Sequence, residues 1–599
     1  MNEKKLGFDV VVVGGGMAGI CAALASAREG VRTALIQDRP VLGGNASSEI
    51  RMHICGANMH GKRADARETG ILEELMLKNR RRNPQHSFSV LDTILWETVR
   101  YQENLTLMLN TRVLEVQSYS NRITGLKALQ MTTETVLHII GTIYMDCTGD
   151  GMVAAEAGAL FRQGREGKME FGESHAPDMP DSYTMGSTLM FKAVDMGYPV
   201  PFERPSWAYE IDEERLKYRG HSVSRSEMEH YGIDSGYWWI ELGGTKDTIR
   251  DGEEIKDELL KTVYGIWDHI KNGGEHGAQN YALDWIQFLP GKRESRRIEG
   301  DYILKEQDLL ENRRFDDVVA YGGWPMDMHP VEGFHYTGEP TDYIDIPELY
   351  GIPYRCYYSK NIENLMMAGR NISVSHMAFG SVRVMGTCAV GGQAAGTAAA
   401  MAFQYGVSPR QIGIKHIWEL QQKLLKNDCY IPGVYNQDQK DLAKKACVAV
   451  SSQRTDGQGE NVLNGVTRSN GGLTGSWISE KPVLNKDGQW LELSWEKPQR
   501  ISELRITFDT NLSLEIVTSL SKATQSRQKP GIPDTLVRRY QVELLEQGKC
   551  IWNQTIQNND QRQNVLTLGM TGDGVRITVL DTWGDSHARI SEVRVYGEG

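Results

Sequence analysis

The sequence predicts an α/β fold: a Rossmann-like parallel sheet with a β-meander and an inserted substrate domain, followed by a C-terminal all-β jelly-roll sandwich. Three observations carry this reading. Near the start, a run of β-branched residues, Val10–Val13, breaks into glycines and then into an Ala-rich helical pattern. That is the order of a strand–turn–helix unit in a parallel sheet. Between residues 161 and 363 Trp, Tyr, Pro, Met and charged residues rise and the apolar runs shorten. From Ala443 onward the Ala-rich helices vanish, and short alternating segments follow one another between turns rich in Gly, Asn, Asp and Pro, a sandwich pattern.

The stretch Phe8–Gly19, FDVVVVGGGMAG, organises the first part of the chain. Val10–Val13 reads as a strand buried on both faces. Gly14, Gly16 and Gly19 fit the G-x-G-x-x-G spacing, with Gly15 between the first two and Met17-Ala18 opening the helix. Gly14 permits the tight turn, Gly16 lets the backbone approach a pyrophosphate, and Gly19 lets helix and strand pack closely. The phosphates would sit on the helix N-terminus, where free N–H groups and the helix dipole favour anions. The bland alternative is a tight strand–helix turn with no ligand. A second apolar strand, Thr33–Ile36, leads into Gln37-Asp38-Arg39, where an acidic residue for a ribose is expected. Either Gln37 hydrogen-bonds the ribose hydroxyls or Asp38 does so from one residue further.

At 599 residues the chain is too long for one core, and several domains are expected. The divisions fall at 1–160, 161–363, 364–440 and 441–599, the first and third together forming the dinucleotide domain. A net charge of −12 with no compensating basic stripe argues against a nucleic-acid partner. The first strand is read as beginning by Phe8, which leaves no room for a signal peptide, and no apolar run reaches membrane-span length. The eight cysteines show no paired C-x-x-C spacing, so no zinc ribbon or iron–sulfur cluster and no other metal-ligand set is read from this chain. A cytoplasmic protein with reduced thiols is expected.

Residues 37–51, QDRPVLGGNASSEIR, place Gly43, Gly44, Asn45 and Ser47 where small residues and hydroxyls can lie along a cofactor and donate to its oxygens. A helix N-cap with a turn would use the same residues. The glycine fingerprint followed by RPVLGGNASSEIRMHICGA resembles the FAD-dependent oxidoreductase family of the glutathione-reductase-like flavin fold, the grouping that includes the flavin subunit of heterodisulfide reductase. The resemblance implies that the first glycine turn binds the pyrophosphate of FAD rather than of NAD.

Leu105–Val116 and Ile123–Met145 alternate apolar and polar residues about a turn near Ser120-Asn121 and read as a β-meander. The family places such a meander inside its FAD domain, with backbone near Val113 touching adenine. The strand Thr142–Asp146 runs into Cys147-Thr148-Gly149-Asp150-Gly151. Thr148, Gly149 and Asp150 resemble the second glycine motif of flavoproteins; alone they make an ordinary turn. A helical pattern over Val153–Ala159 follows.

In the inserted region, strands are expected near Thr184–Lys192 and Tyr237–Leu242 and a helix over Glu254–Asn272. The aromatic run Tyr237-Trp238-Trp239 either packs in a core or lines a sugar pocket. Arg293, Arg296 and Arg297 in GKRESRRIEGDY match a family segment; they either hold an anionic or hydroxyl-rich substrate or form ion pairs. GGWPMDMHPVEG offers Asp327 and His329 as pocket candidates, against a structural histidine.

Asn364–Met401 matches the family almost throughout. Leu365–Ala368 reads as a strand returning to the parallel sheet, Gly369 permits close approach to a ribityl-phosphate, and Arg370 is a cation suited to the pyrophosphate. The small-residue helix Ala389–Ala402, with Thr387 at its start and Gln393 and Ala394 along it, would point its N-terminal end at the flavin N1–C2=O edge. It also reads as a tightly packed core helix. By resemblance the loop at Ser375-His376-Met377, with Arg383 following, lies over the isoalloxazine ring. His376 either takes a proton from a substrate hydroxyl or only hydrogen-bonds the cofactor. An amphipathic helix over Gln411–Asn427 precedes the C-terminal strands at Trp490–Trp495, Ile501–Phe508, Tyr540–Leu545, Val575–Leu580 and Ile590–Tyr596.

The segments SWISE, QWLELSWEKPQRISELRITFD and ARISEVRVYG resemble discoidin, or galactose-binding-like, jelly rolls, which implies either carbohydrate docking or packing against the flavin domain. Because the strand–G-x-G-x-x-G–helix unit occurs once, no second, nicotinamide-binding domain is expected. The leading expectation is hydride transfer from a small organic substrate, such as a sugar or glycoside hydroxyl, to FAD. His376, Arg383, His329 and Arg296 are the catalytic candidates, and the electron acceptor stays open among O₂, a quinone and a carrier protein. The rivals are an electron-transferring flavin subunit working with a thiol or iron–sulfur partner, and an inactive glycan-binding scaffold.

Overall fold

A computed structural model describes residues 2–221, 232–469, 475–483 and 488–597. The chain divides into two compact units, one of residues 1–59, 85–420 and 517–528, the other of residues 60–84, 421–516 and 529–599.

The first unit holds a five-stranded sheet in the order Leu365–Met367, Ile143–Asp146, Val10–Val13, Thr33–Ile36, Leu105–Met108, every neighbouring pair parallel. Val10–Val13 lies at its centre, buried along its length. The chain first steps from this strand to Thr33–Ile36 on one side and later returns through Ile143–Asp146 on the other. That reversal is the switch point where open α/β sheets bind ligands at their carboxyl ends.

Two expectations are corrected. Leu105–Met108 is the edge strand of this sheet, not the start of the meander. The meander comprises Thr111–Tyr119, Arg122–Gln130 and Thr135–Ile140, and an N-terminal strand, Asn2–Gly7, joins it parallel to the last of these. Its sequence, NEKKLG, is nearly all exposed, so it carries no alternation by which an edge strand could be recognised before Phe8.

Helix Met385–Tyr405, longer at both ends than expected, packs backbone to backbone on helix Met17–Arg28. A Cβ on Gly392 would meet Ala18 O at 2.2 Å and one on Gly396 would meet Ala22 O at 2.1 Å. Ser26 Oγ donates to Gly396 O at 2.8 Å. The run of small residues is therefore a close helix–helix contact.

Residues 161–363 lie in this first unit as two- and three-stranded sheets around the 21-residue helix Gly252–Asn272. The expected strands are shorter: Ser187–Thr188 with Phe191–Asp195, and Glu241–Leu242. Tyr237 and Trp239 are core residues beside Phe191 and Trp267, with the Phe191 and Tyr237 rings stacked at 5.1 Å. The amphipathic stretch near 411–427 is two helices, Pro409–Lys415 and Ile417–Lys426.

The second unit is built on a β-sheet and also includes helix Ile71–Arg82 of its 60–84 segment. Among the described residues its seven strands form one continuous sheet because Gln489–Phe508 and Gln563–Thr582, 20 residues each, bend through register shifts and pair along most of their length. Trp477, Leu493, Phe508, Tyr540, Ile577 and Val593 belong to its core. Residues 60–84 belong here, against expectation. The Arg67 guanidinium, 2.7 Å from Glu73, donates to the carbonyls of Thr510, Asn511 and Leu514. A buried pair tied to backbone acceptors leaves no hydrophobic signature in sequence.

Candidate functional site: three glycine turns and two histidines

At the carboxyl edge of the parallel sheet three strands end in glycine turns that touch one another. Gly14 has φ +106°, and a Cβ there would meet Cys147 O at 2.3 Å and Thr148 N at 2.7 Å. A Cβ on Gly19 would meet Gly14 O at 1.8 Å, whereas one on Gly16 would meet nothing within 4 Å. Two glycines thus allow close packing while the one between leaves backbone open, as the fingerprint requires. Gly43 N donates to Gly15 O at 2.8 Å, and a Cβ on Gly44 would lie 3.2 Å from Gly16 Cα, so the second glycine pair lies against the first turn. Gly369, also at φ +106°, meets Ala18 Cβ at 3.5 Å.

The carboxylate beneath these turns explains their shape. Asp146, fully buried at its strand end, accepts from Thr148 N and Oγ1 at 3.0 and 2.7 Å and from Ala154 N at 2.8 Å. Its main-chain oxygen accepts from Asn371 Nδ2 at 3.1 Å, which ties the second turn to the third. Helix Met152–Glu156, shorter than expected, follows.

Several candidates are engaged with the protein itself. The Gln37 carbonyl accepts from Gly15 N at 2.8 Å, so this side chain braces the glycine turn instead of waiting for a ribose. Asp38 is exposed and Arg39 pairs with Glu49. Arg370 is no lone cation: it pairs with Asp150 at 2.7 Å and donates to Ser295 Oγ at 3.1 Å, while Lys292 holds the other Asp150 oxygen at 2.7 Å. Burial pushes the Asp150 carboxyl up, but these two cations outweigh it and hold it well below the usual carboxylate range. Asn45 Nδ2 lies 3.5 Å from Lys292 O, Ser47 is buried and accepts from Glu49 N, and Val113 is buried in the Thr111–Tyr119 strand. Met17, Ala18, Gln393 and Ala394 are buried on their helices.

The ionic half of the site is built on residues 293–297. Arg293 pairs with Glu241 and donates to Thr188 Oγ1, and Arg297 holds Glu166 through two 3.2 Å contacts. Both guanidiniums are buried ion-pair partners, which removes them as substrate anchors. Arg296 is partly exposed; its guanidinium lies over Phe161 at 5.4 Å and reaches Asp150 O at 3.4 Å.

His376 opens helix His376–Val382 behind the Ser375 N-cap. Its amide donates to Glu166 at 2.8 Å and its Nδ1 lies 3.0 Å from the fully buried Glu294. Burial raises the Glu294 carboxyl, but His376 and Arg297 outweigh it and hold it below the ordinary range. A carboxylate there fixes Nδ1 as the protonated nitrogen. Nε2 has no hydrogen-bond partner among the described residues. At the other end of the helix Arg383 donates to Asp327 Oδ2 at 2.9 Å. His329 lies between two carboxylates, Nδ1 3.0 Å from Glu241 and Nε2 3.3 Å from Asp327. Burial lowers the His329 pKa, but these two carboxylates raise it above its ordinary value on balance.

Two features show what the cradle fits. Neither helix Met17–Arg28 nor helix Met385–Tyr405 has a side-chain N-cap or an acidic residue in its first turn, so both positive ends stay uncompensated. Thr387 Oγ1, in the first turn of the latter, is buried without a partner among the described residues. With the open backbone at Gly16, this donor set suits a long phosphate-bearing ligand with further polar edges.

The sequence model of the family described as FAD dependent oxidoreductase matches residues 9–424. The chain belongs to that family, and its cofactor is FAD. The match covers all three glycine turns and both histidines. The tRNA uridine 5-carboxymethylaminomethyl modification enzyme MnmG of Aquifex aeolicus (strain VF5) is 31% identical over 191 residues, 27% of this chain and 29% of that enzyme. The match thus spans under a third of the relative. Among solved structures, a Streptococcus pneumoniae fucose binding module, SpX-3, aligns at 15% identity and TM-score 0.21 over 26% of this chain and 98% of its own. The family 32 carbohydrate-binding module of C. perfringens NanJ in complex with galactose aligns at 14% identity and TM-score 0.19 over 26% and 95%.

In this flavoprotein the acidic partners escaped sequence reasoning: Glu294, Glu241 and Glu166 were not singled out. Glu294 follows Arg293 and stands two residues before Arg296, and a carboxylate amid cations is a signal that could have found it. Glu166, between Arg165 and Lys168, carries the same signal, whereas Glu241 has no cationic neighbour. No helix of the described residues is long and apolar enough to cross a membrane.

Proposed function

We propose that this flavin enzyme is a dehydrogenase or oxidase for a small organic substrate bearing a hydroxyl group, such as a sugar or glycoside. FAD supplies the hydride acceptor. The single observation that carries the reading is the His376–Glu294 pair: a buried carboxylate 3.0 Å from Nδ1 leaves Nε2 as the basic nitrogen. His376 takes the hydroxyl proton at Nε2, and Glu294 holds the imidazole in orientation and balances the positive charge it acquires. Arg296, the one partly exposed arginine of its segment, faces the substrate, while Arg383 and His329 hold the wall of the site. Thr387 donates to the cofactor from the first turn of its helix.

A thiol mechanism has less support. Burial pushes the Cys388 thiol up to about 12 and the Cys147 thiol higher still, the opposite of a reactive thiolate. A tRNA substrate, as named for the Aquifex relative, sits poorly with a net charge of −12. The test is anaerobic bleaching of the bound flavin by a panel of sugars, glycosides, hydroxy acids and thiols. Bleaching by a hydroxyl substrate, slowed in His376→Asn at equal flavin content, supports the reading. Bleaching by thiols alone, or at the parent rate in the variant, overturns it.

A further inference from the structure

Away from the flavin segments, in the same unit, four side chains converge that the oxidoreductase chemistry does not use. Glu213 opens the short helix Glu213–Leu216, and His221 follows it. His269 lies in the last turn of helix Gly252–Asn272, and His276 sits just beyond the Gly273-Gly274 turn. One ligand atom from each of the four lies within 4.8 Å of every other.

The orientation of the rings is specific. His269 Nδ1 lies 3.1 Å from Ile211 O and His221 Nδ1 lies 2.8 Å from Arg219 O. Carbonyls only accept, so each Nδ1 carries the proton and each Nε2 is turned inward. Both meet the same oxygen, Glu213 Oε2, at 2.9 and 3.2 Å. Among the described residues His276 Nε2 is buried with no hydrogen-bond partner, 3.9 Å from that oxygen, too far for a hydrogen bond. The three rings lie with centroids 4.6, 4.9 and 5.4 Å apart. Neutral rings would turn lone pairs on a carboxylate, and three imidazoliums would crowd like charges around one anion. A divalent cation at the centre removes both conflicts.

We propose that Glu213, His221, His269 and His276 form a closed four-ligand site for Zn²⁺ that clamps residues 211–221 to the end of helix Gly252–Asn272. Three imidazole nitrogens and one carboxylate oxygen are a borderline donor set suited to zinc rather than to Mg²⁺ or Ca²⁺. With zinc bonds of about 2.0–2.1 Å, a tetrahedron has edges of about 3.4 Å. The three distances from Glu213 Oε2, 2.9, 3.2 and 3.9 Å, bracket that edge. Carbonyl-held Nδ1–H groups are also the usual outer support of zinc-bound histidines. The loop that carries His276 is fixed independently: Lys271 Nζ donates to the carbonyls of Ala278, Gln279 and Tyr281 at 2.8, 3.0 and 2.8 Å. Four protein ligands leave no open position, so the role is structural, and the flavin chemistry does not depend on it.

The test uses the full-length flavoprotein, stripped with EDTA, incubated with Zn²⁺ alone and passed through a desalting column. One zinc per chain is expected by atomic emission, falling at least about tenfold in His269→Ala/His276→Ala while flavin per chain is unchanged. Folding of the variant is bypassed by loading the wild-type protein with Co²⁺. Intense ligand-field bands of tetrahedral cobalt, at wavelengths beyond the flavin absorption and erased by added Zn²⁺, are expected. Wild-type protein that retains no zinc, a variant that retains as much as the parent, or a weak octahedral cobalt spectrum would overturn the proposal.

Discussion

His376 and His329 are both buried and each sets Nδ1 3.0 Å from a buried glutamate, yet their second nitrogens differ. His329 Nε2 meets Asp327, which Arg383 also holds, whereas His376 Nε2 meets no partner among the described residues. A histidine engaged at both nitrogens is a fixed positive charge inside an ion network. One engaged at a single nitrogen retains a site for a proton. In the proposed reading the contrast gives proton transfer to His376 and architecture to His329, though in sequence each is a lone histidine in a family-like segment.

The sharpest way to break the comparison is His376→Asn. Loss of the base should cut kcat by roughly 10²–10⁴, with flavin content and thermal midpoint near the parent's; a kcat within a few-fold of the parent would end the distinction. His329→Gln should do the reverse, costing about 1.5–3 kcal/mol of unfolding free energy because Glu241 and Asp327, each still paired with an arginine, lose a buried charged hydrogen-bond donor, as read by denaturant titration. The same network sets a pH dependence. The folded state raises the His329 pKa, so its contribution is complete below about pH 6.5, the unfolded value, and is lost as pH rises through the raised value. Thermal midpoints should therefore fall on the alkaline side in the parent and less in His329→Gln.

Glu294→Gln sharpens the other arm. It should lower kcat by roughly 10- to 100-fold with KM little changed, less than removal of the base itself. Equal losses in both variants would show that Glu294 does more than orient the ring. The smallest effect is expected from Thr387→Val. Its hydroxyl has no partner among the described residues, so loss of one hydrogen bond to FAD, worth about 1 kcal/mol, should weaken FAD binding by roughly fivefold in a reconstitution titration without destabilising the protein.

The cofactor half was readable because its work is done by backbone. A strand, a glycine where a Cβ would strike a carbonyl, and a helix start are local signals, and Gly14, Gly16 and Gly19 each stand where their spacing implied. The places where reading failed share another physics. Asn2–Gly7 is an edge strand of exposed polar residues, Leu105–Met108 alternates like a meander strand yet pairs in the parallel sheet, and Arg67 leaves its neighbours in sequence for Glu73 and three distant carbonyls. Arg293 and Arg297 looked like anchors for an anion, but glutamates 52 and 131 residues away neutralise them.

By itself the sequence determined the α/β class, the three glycine turns and the flavin family, because glycine spacing and apolar runs report on contacts made within a few residues. Only the tertiary structure decided which histidine is held by one carboxylate and which by two, that Gln37 and Arg370 serve the protein's own turns, and that three histidines and Glu213 meet at one point. Those outcomes depend on pairing between charged groups far apart in the chain, and the pairing is fixed by burial. A charge removed from water must find a partner, and the fold, not the local sequence, determines which partner is within reach.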